Sequence, residues 1–314
     1  MDKEGYRYLY GPVPSRRLGL SLGVDIIPSK YCSYSCVYCQ LKRTDHLTIE
    51  RRSFYPVDDI LDEIRMRINE AEIKPDRITF SGSGEPTLNI DIGKIIRGIK
   101  SFTNIPVVVI TNGSLLWMPE VRDDLMSADF VVPSMDSARR ESFRKVNRPH
   151  RSLDIERIKR GVIEFGKNFQ GQLWLEILLV RGINDSKDDI SSLVDFTAKL
   201  KPGRAQLNTV VRPPSEDYAR PLTLEELEGI ALLFTPKAEV IAEFEAKSRH
   251  TDKEHLKKNL IIDILNRRPC TFKDIAASLA YDEREIETVI AAMVKDGAVE
   301  AKDENSGRYY YLKR

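Results

Sequence analysis

The sequence has no long hydrophobic run and almost no net charge. Its apolar stretches fall short of the roughly 18 to 20 residues that cross a bilayer, and the first ten residues, MDKEGYRYLY, are charged from the second position. We therefore expect neither membrane insertion nor secretion. The 49 Lys and Arg residues balance 48 Asp and Glu residues, so no field of one sign attracts charged partners. With 41% hydrophobic residues among 314, the chain is able to bury a large core.

Cysteine is also scarce. Only four occur, and three of them, Cys32, Cys36 and Cys39, lie within eight residues, while Cys270 lies far downstream. A secreted protein held together by disulfides would distribute an even number along the chain. A tight, odd group indicates a metal site in a reducing compartment, so we expect a cytoplasmic protein.

The first 235 residues alternate short apolar runs with amphipathic stretches. A repeated strand-helix order indicates parallel strands with right-handed crossovers. Six units are too few for a complete eightfold barrel, which takes about 250 residues. The sequence therefore predicts an α/β fold, a partial (β/α)6 TIM-like barrel. Its predicted strands are 20–27, 77–82, 107–112, 129–134, 173–180 and 205–211, and its predicted helices are 57–72, 91–102, 119–127, 152–166 and 186–200.

Polar and Gly-rich segments follow the predicted strands. In parallel α/β folds, ligands bind beyond the carboxyl ends of the strands, so we expect these segments to line one mouth. The alternative is that Gly, Asn, Pro and Ser there only form turns. The five segments are SGSGEPT, TNGS, PSMDS, VRGIND and VVRPPSE.

The pattern changes after residue 235. Helical stretches at 255–268, 271–279 and 283–297 precede a hairpin at 298–313, whose tip carries Asn305, Ser306 and Gly307. This order predicts a small winged helix-turn-helix domain over 255–314, joined by a linker at 236–254 to a first domain at 1–235. Residues 251–314 contain 12 basic and 12 acidic residues, so nucleic-acid binding competes with protein docking, peptide recognition and dimerisation.

The spacing CxxxCxxC, on a loop after a predicted strand, indicates a metal-binding site. Three thiolates are able to hold three corners of a 4Fe-4S cluster and leave one iron open to a substrate. One alternative is tetrahedral zinc with His46 as the fourth ligand. Another is three buried thiols without a metal.

The loop CSYSCVYC, on a chain of strand-helix repeats, resembles that of the radical S-adenosylmethionine (radical SAM) superfamily, over roughly residues 10 to 235. The resemblance implies one 4Fe-4S cluster held by Cys32, Cys36 and Cys39, together with S-adenosylmethionine. One electron from the cluster breaks a carbon-sulfur bond and yields a 5′-deoxyadenosyl radical, which abstracts hydrogen from a substrate. It also implies a reduced ferredoxin or flavodoxin as electron donor.

The resemblance also implies roles for residues at the strand ends. Ser83, Gly84 and Glu85 match the family's GGE segment, with Ser for the first Gly, and would bind the methionine amino group. The other matching positions are Asn112, Ser134 and Asp136 near the ribose or the reacting centre, and Tyr38, Val211 and the Gly182-Ile183-Asn184 turn around the adenine. Among the arginines near the predicted mouth, we expect Arg148 to hold the methionine carboxylate, because an arginine fork suits a carboxylate.

Four further segments, YGPVPSRRLGLSLGVDIIP, FSGSGEPTL, FRKVNRPH and QLNTVVRPP, are similar to the wyosine-forming tRNA enzymes. The archaeal wyosine synthases carry a second cysteine trio upstream of the first, and no cysteine precedes Cys32 here. Their Schiff-base lysine also has no clear counterpart. The chain thus resembles that group without meeting its full pattern.

Arginines and histidines near the predicted mouth are further candidates for binding anions. Arginine forks suit carboxylates and phosphates, although pairing with neighbouring acids is an equal alternative for each. The candidates are Arg16, Arg17, Arg144, Arg148, His150, Arg181 and Arg212.

Three functions compete at this level. The first is a radical SAM enzyme acting on an RNA base, indicated by the wyosine-like segments. The second is the same chemistry on a peptide or protein bound by the C-terminal domain, indicated by its neutral charge. The third is a redox-sensing regulator that binds metal and DNA.

Overall fold

A computed structural model describes most of the chain. The described residues are 6–15, 17–71, 74–241, 258, 261–262, 264–265, 269–279, 281–304 and 307–313. Arg16, residues 242–254 of the expected linker, most of the expected helix at 255–268, and Asn305 and Ser306 lie outside them.

The central element is an eight-stranded sheet. Strand β1 pairs antiparallel with β2, and every other neighbouring pair is parallel. The order is β1-β2-β5-β6-β7-β8-β9-β10, with β1 and β10 at the two edges. The strands are β1 (Leu9–Ser15), β2 (Gly19–Val24), β5 (Arg77–Phe80), β6 (Val107–Thr111), β7 (Phe130–Pro133), β8 (Gln172–Leu179), β9 (Arg204–Thr209) and β10 (Glu239–Val240), while β3 (Tyr31–Cys32) and β4 (His46–Leu47) form a small parallel pair in the cysteine loop.

Helices connect the parallel strands and cover the sheet. In α1, the residues Ile60, Ile64 and Ile68 recur at helical spacing and are buried. Ile95 of α2 belongs to the same hydrophobic cluster as Phe80 of β5. The helices of this region are α1 (Val57–Glu70), a short 3-10 helix (Pro86–Leu88), α2 (Ile92–Phe102), α3 (Pro119–Leu125), α4 (Arg140–Val146), α5 (Ile155–Asn168), α6 (Lys187–Leu200) and α7 (Leu224–Ala231).

The C-terminal residues form a smaller unit. It contains β11 (Cys270–Thr271), α8 (Phe272–Leu279), α9 (Glu283–Lys295), β12 (Val299–Glu304) and β13 (Gly307–Leu312). These strands make a sheet of order β11-β13-β12, and the unit has its own hydrophobic cluster. Val13 of β1 packs against that cluster, and the Tyr309 hydroxyl donates a hydrogen bond to the Val211 carbonyl oxygen at 3.3 Å.

The α/β fold with a mostly parallel central sheet is confirmed. The six predicted parallel strands correspond to β2 and β5–β9. The sequence reading missed β1, β10, α4 and α7. No helix among the described residues is long and apolar enough to cross a membrane.

Candidate active site

The three clustered cysteines line one cavity of about 310 Å³. Cys32 is the last residue of β3, which pairs in parallel with β4. The chain then turns tightly, because the Cys39 amide donates to the Cys36 carbonyl at 3.2 Å. All three thiols are free of disulfides. The local fold thus directs three sulfur atoms from one short loop at a common space.

The cysteines are partly buried and have two amide donors nearby. Burial raises the pKa of the Cys32 thiol to about 12 and also raises the pKa values of Cys36 and Cys39. Asn112 Nδ2 lies 3.5 Å from Cys32 Sγ, and Asn147 Nδ2 lies 3.4 Å from Cys36 Sγ. These N–H groups would stabilise negative charge on sulfur once a metal displaces the thiol protons.

The donor set fits a cluster better than a single ion. A tetrahedral zinc ion would need a fourth ligand beside the three thiols. His46, the expected fourth zinc ligand, instead stacks on Tyr31 with ring centroids 4.1 Å apart. Three thiols that line one cavity are the donor set for three corners of a 4Fe-4S cube.

The segment after β5 presses against the cysteine loop. A Cβ atom at Gly84 would lie 2.0 Å from the Tyr31 carbonyl oxygen, so only glycine fits there. Ser83 donates hydrogen bonds to Asp25 Oδ2 through its amide at 3.1 Å and its hydroxyl at 2.6 Å. Asp25 follows β2 and fixes the segment beside the cavity, which both Ser83 and Gly84 line.

Glu85 is a buried carboxylate with protein partners on both oxygens. Its Oε1 accepts hydrogen bonds from Thr87 and from the Thr111 hydroxyl at 2.6 Å, and its Oε2 accepts one from the Asn112 amide at 2.7 Å. Burial raises the pKa of Glu85, and these hydrogen bonds oppose the rise. The side chain therefore joins the ends of β5 and β6, in addition to any contact that it makes with a ligand.

Asn112 and Ser134 occupy neighbouring strand ends on a second cavity. Asn112 Nδ2 also donates to Ser33 Oγ at 2.8 Å, which orients the amide toward the cysteines. The Ser134 amide donates to the Thr111 carbonyl at 2.9 Å. Both residues line a cavity of about 440 Å³ that extends from Cys32 into the barrel interior.

Asp136 lies beneath the cysteine loop, outside the lining of either cavity. Its carboxylate accepts hydrogen bonds from the Tyr38 hydroxyl at 2.5 Å, from Asn147 Nδ2 at 2.6 Å and from the Leu178 amide at 3.0 Å. Burial raises the pKa of Asp136 to about 6, although these donors favour the ionised form. Asp136 thus ties the cysteine loop to β8. Tyr38 itself lines the cysteine cavity.

Arg148 is held beside the cysteine loop by an acid that the sequence reading overlooked. Its guanidinium donates to the Ser35 carbonyl and to Glu216 Oε1, the latter at 2.6 Å. Arg43 donates to both Glu216 oxygens at 2.8 and 3.0 Å. The two guanidinium groups lower the pKa of Glu216 to about 2.

Other expected arginines also have partners in the protein. Arg17 donates to Glu176 Oε2 at 2.6 Å, Arg181 to Glu226 Oε2 at 2.5 Å, and Arg212 to Gln40 Oε1 at 2.8 Å.

Four of the five polar strand-end segments contribute to the two cavities, as expected of a shared mouth. Val211 and Arg212 line the cysteine cavity beside Ser83 and Gly84. In the fifth segment, the Asn184 side chain donates to the Asp136 and Leu178 carbonyl oxygens at 2.7 and 2.8 Å. This segment therefore supports the site from behind.

Three residues of the site were missed by the sequence reading: Asp25, Asn147 and Glu216. Each lies within a segment that stands out for other reasons, namely the first predicted strand, FRKVNRPH and VVRPPSE. No spacing rule distinguishes them, because their partners are far away in sequence.

Comparisons with known proteins agree with this geometry. The family model described as the radical SAM superfamily matches residues 26–195. A UPF0026 protein of Methanocaldococcus jannaschii is 35% identical over 322 residues, covering 97% of this chain and 95% of that protein. A radical SAM methyltransferase structure from Sphaerobacter thermophilus has 15% sequence identity and a TM-score of 0.54, covering 71% of this chain and 65% of that one.

A longer relative was also found. The protein named GTPase Obg of Brachyspira hyodysenteriae is 39% identical over 295 residues, which are 93% of this chain. The chain spans only 43% of that protein's length. These two sequence relatives carry the UPF0026 and Obg names rather than the wyosine synthase name that the sequence suggested.

Proposed function

Since the chain belongs to the radical SAM superfamily, we propose that it reductively cleaves S-adenosylmethionine and abstracts hydrogen from an RNA base. It is a radical SAM iron-sulfur enzyme, and its cofactors are a 4Fe-4S cluster and S-adenosylmethionine. Cys32, Cys36 and Cys39 would hold the cluster, which would supply the one electron needed to break the C5′–S bond and give methionine and a 5′-deoxyadenosyl radical. Family membership thereby favours an enzyme over a redox-sensing DNA regulator.

The observation that carries the proposal is the continuity of the two cavities. The first contains all three cysteines, and both are lined by Cys32, Gly82–Gly84 and Arg212. A ligand at the cysteines would thus face the barrel interior directly. This arrangement supports a cofactor held at the cysteines beside the space that a substrate C–H bond would occupy.

The expected binding roles have local support. Ser83 and Gly84 line the cysteine cavity and Glu85 lines the second cavity, so these three residues would receive the methionine amino group beside Cys32. Tyr38 and Val211 line the same cavity and would contact the adenine. Asn112 and Ser134 line the second cavity and would contact the ribose. The expected contacts of Asp136 with the ribose and of Arg148 with the methionine carboxylate lack this support, because both side chains lie outside the linings and bond to Tyr38 and Glu216.

Radical SAM enzymes require an electron donor. We infer a reduced ferredoxin or flavodoxin of the cytoplasm for this chain. A small low-potential protein suits this role, because a 4Fe-4S cluster of low potential accepts electrons only from a strong reductant.

The C-terminal unit provides evidence on whether the substrate is an RNA or a peptide. Helices α8 and α9 with the sheet β11-β13-β12 support the expected winged helix-turn-helix domain. The alternative substrate is a peptide held by this unit, which is favoured by the acidic start of α9 at Glu283 and Glu285, since acidic residues repel phosphate.

The test is anaerobic turnover of iron-reconstituted protein with S-adenosylmethionine and a chemical reductant. We expect release of 5′-deoxyadenosine and methionine, and loss of both the cluster absorbance and this activity in Cys36→Ala. Cys270→Ala is the matched control, because Cys270 is buried in the C-terminal unit and lines neither cavity. Wild-type protein that binds the cluster and releases no 5′-deoxyadenosine would refute the proposed activity.

A further inference from the structure

A group of aromatic rings lies beside the cysteine loop and outside both cavities. Tyr31 of β3 directly precedes Cys32, and its ring stacks on that of His46 of β4 with centroids 4.1 Å apart and 16° between the planes. The Phe54 ring meets Tyr31 edge-on, with centroids 5.4 Å apart. These three side chains line neither the cysteine cavity nor the second cavity. His46 is exposed, so part of its ring faces solvent while Tyr31 supports it.

Arg52 lies over two of these rings with its side chain exposed to solvent. Its guanidinium carbon is 4.9 Å from the ring centroid of Tyr31 and 4.9 Å from that of Phe54. Its backbone is fixed, because its amide donates to the Leu88 carbonyl at 2.9 Å and its carbonyl accepts the Ile90 amide at 3.2 Å. Among the residues that the structure describes, no carboxylate oxygen lies within 4 Å of this guanidinium.

The preceding arginine is held in a different way. Arg51 donates to the Thr87 carbonyl at 2.8 Å and is paired with Asp124 at 2.5 Å, and its side chain is only 9% exposed. Arg51 therefore anchors this segment to the protein, whereas Arg52 presents its charge to solvent.

A second group of the same kind begins at the next residue after Phe54. The Tyr55 ring lies 5.0 Å from the Tyr8 ring. Arg7 is exposed and lies over both, 5.2 Å from the centroid of Tyr8 and 5.8 Å from that of Tyr55. Within the described part of the chain, Arg7 also has no carboxylate oxygen within 4 Å. Because consecutive Cα atoms are about 3.8 Å apart, the two groups lie next to each other.

Single pairs of an arginine and a ring also occur elsewhere in the molecule. Arg65 lies 4.6 Å from the Phe102 centroid, but it is paired with Asp62 at 2.6 Å. Arg157 lies 3.3 Å from the Trp117 centroid. Such a pair alone is an ordinary surface contact. The region beside the cysteine loop differs because two exposed arginines lie over neighbouring groups of rings.

The charge of this region favours an anion. Residues 30–55 contain five Lys and Arg residues and two Asp and Glu residues, whereas the whole chain is balanced at 49 to 48. Arg43 and Arg51 are paired with acids from other segments, but the guanidinium groups of Arg7 and Arg52 keep their charge for a ligand.

Exposed cations over rings suit single-stranded nucleic acid better than an acidic protein. A phosphate gains from each cation that replaces its counterion. Unpaired bases stack on aromatic side chains, histidine included, and on guanidinium planes. An acidic protein would use the cations alone and leave the exposed ring of His46 without a role.

We propose that the exposed side chains Arg7, His46 and Arg52, with the rings beneath them, form an arginine-aromatic surface that binds a single-stranded segment of the RNA substrate. The inference rests on the proposed function, which takes RNA as the substrate. Arg7 and Arg52 contact phosphates, and His46 stacks on an unpaired base. Since Tyr31 joins this surface to Cys32, the bound RNA lies next to the cysteine loop.

The test measures RNA binding separately from catalysis. Reconstituted full-length protein is titrated anaerobically into a fluorescein-labelled, mixed-sequence, single-stranded RNA of about 20 nucleotides, longer than the usual single-strand site. Fluorescence anisotropy gives the Kd at several salt concentrations. The double variant Arg7→Ala with Arg52→Ala loses two phosphate contacts. At low salt its Kd should rise by about tenfold or more, and the slope of log Kd against log salt should fall by about 1.4.

The histidine is tested by two substitutions. His46→Ala should raise the Kd by about fivefold or more, the equivalent of one lost base stack, with the salt slope unchanged. His46→Phe keeps a ring and should bind within about twofold of wild type. Arg157→Ala is the matched control and should bind as wild type does, because Arg157 is also an exposed arginine over a ring, but on α5. Thermal unfolding checks that each variant is folded.

The outcomes separate this proposal from the proposed function. Wild-type protein that does not bind the RNA, or a folded double variant with the wild-type Kd and salt slope, overturns the arginine-aromatic surface, as does equal weakening in Arg157→Ala. Wild-type affinity in His46→Ala overturns the stacking role. A labelled polyglutamate peptide that binds as tightly as the RNA and is lost in the same variants overturns RNA in favour of an acidic protein. If the same preparation binds RNA through this surface but releases no 5′-deoxyadenosine from S-adenosylmethionine, the proposed function alone is refuted.

Discussion

At the scale of single residues, Gly84 is the tightest point of the site. An added Cβ would lie 2.0 Å from the Tyr31 carbonyl oxygen and 2.6 Å from Ile27 Cγ2. The first contact is to backbone, and that carbonyl also accepts the Glu85 amide at 3.0 Å. The cysteine loop would therefore have to shift to accept any side chain at this position.

We predict that Gly84→Ala lowers the free energy of unfolding by about 1 to 3 kcal/mol, the usual cost of overpacking. It should also reduce the iron bound per chain after reconstitution, because Tyr31 directly precedes Cys32. Urea denaturation and iron analysis measure the two effects. Gly229→Ala is the control, since nothing lies within 4 Å of a Cβ there. Equal iron contents in the two variants would contradict the prediction.

Asn147 is a second residue with a specific role, because it is a hydrogen-bond donor to the sulfur of Cys36. Its amide Nδ2 lies 3.4 Å from Cys36 Sγ and 2.6 Å from Asp136 Oδ2. A hydrogen bond to a ligand sulfur stabilises the more negative, reduced state of an iron-sulfur cluster. Asn147 should therefore raise the reduction potential.

We predict that Asn147→Ala lowers the cluster's reduction potential by about 40 mV, the one-electron equivalent of a hydrogen bond of about 1 kcal/mol. A redox titration followed by electron paramagnetic resonance measures the change. Asn168→Ala, at the end of α5, should leave the potential unchanged because the Asn168 amide donates to Glu164 on the same helix. An unchanged potential in Asn147→Ala would rule out this tuning role.

At the scale of elements, strand and helix periodicity predicted the parallel sheet well. The six strands with apolar runs appear as β2 and β5–β9. Strand β1 was missed because its sequence, LYGPVPS, contains glycine and two prolines, which are rare inside strands. It exists as an edge strand that pairs with β2 across an irregular register between Tyr10 and Val13.

Two helices were not predicted from the sequence, for different reasons. Helix α4 has seven residues, fewer than a periodicity window needs. Helix α7 begins with a capping box between Thr223 and Glu226, and the pattern Thr-x-x-Glu is a signal that could have identified its start.

The site was only partly predictable. The cysteine spacing identified the candidate metal ligands, and the strand ends identified most of the lining. The partners of those residues were not predictable, because Asp25 meets Ser83, and Glu216 meets Arg148, through pairings set by the order of strands in the sheet. Likewise, no local pattern indicates that Ile264 of the C-terminal unit lines the second cavity.

At the scale of the whole molecule, Glu216 joins three distant segments. Its carboxylate accepts hydrogen bonds from Arg43 in the cysteine loop and from Arg148 after α4, while Glu216 itself follows β9. Its side chain is 11% exposed, whereas that of Arg43 is 72% exposed. The contact with Arg148, which is 26% exposed, is thus the better shielded of the two.

The pH dependence of stability tests this junction. The pKa of Glu216 is lowered to about 2 in the folded protein, below the value of about 4.3 for a free glutamate. The unfolded state therefore binds the proton more readily, and the stabilisation is complete above about pH 5 and is lost as the pH falls toward 2. We predict that Glu216→Gln lowers the free energy of unfolding at pH 7, and that the difference from wild type shrinks at pH 3.

Urea denaturation at both pH values measures the difference in the free energy of unfolding between variant and wild type. Glu164→Gln, on the exposed face of α5, is the control. A difference that stays constant between pH 7 and pH 3 would mean that Glu216 contributes through packing rather than through its charge, and the three segments would then be joined without an electrostatic component.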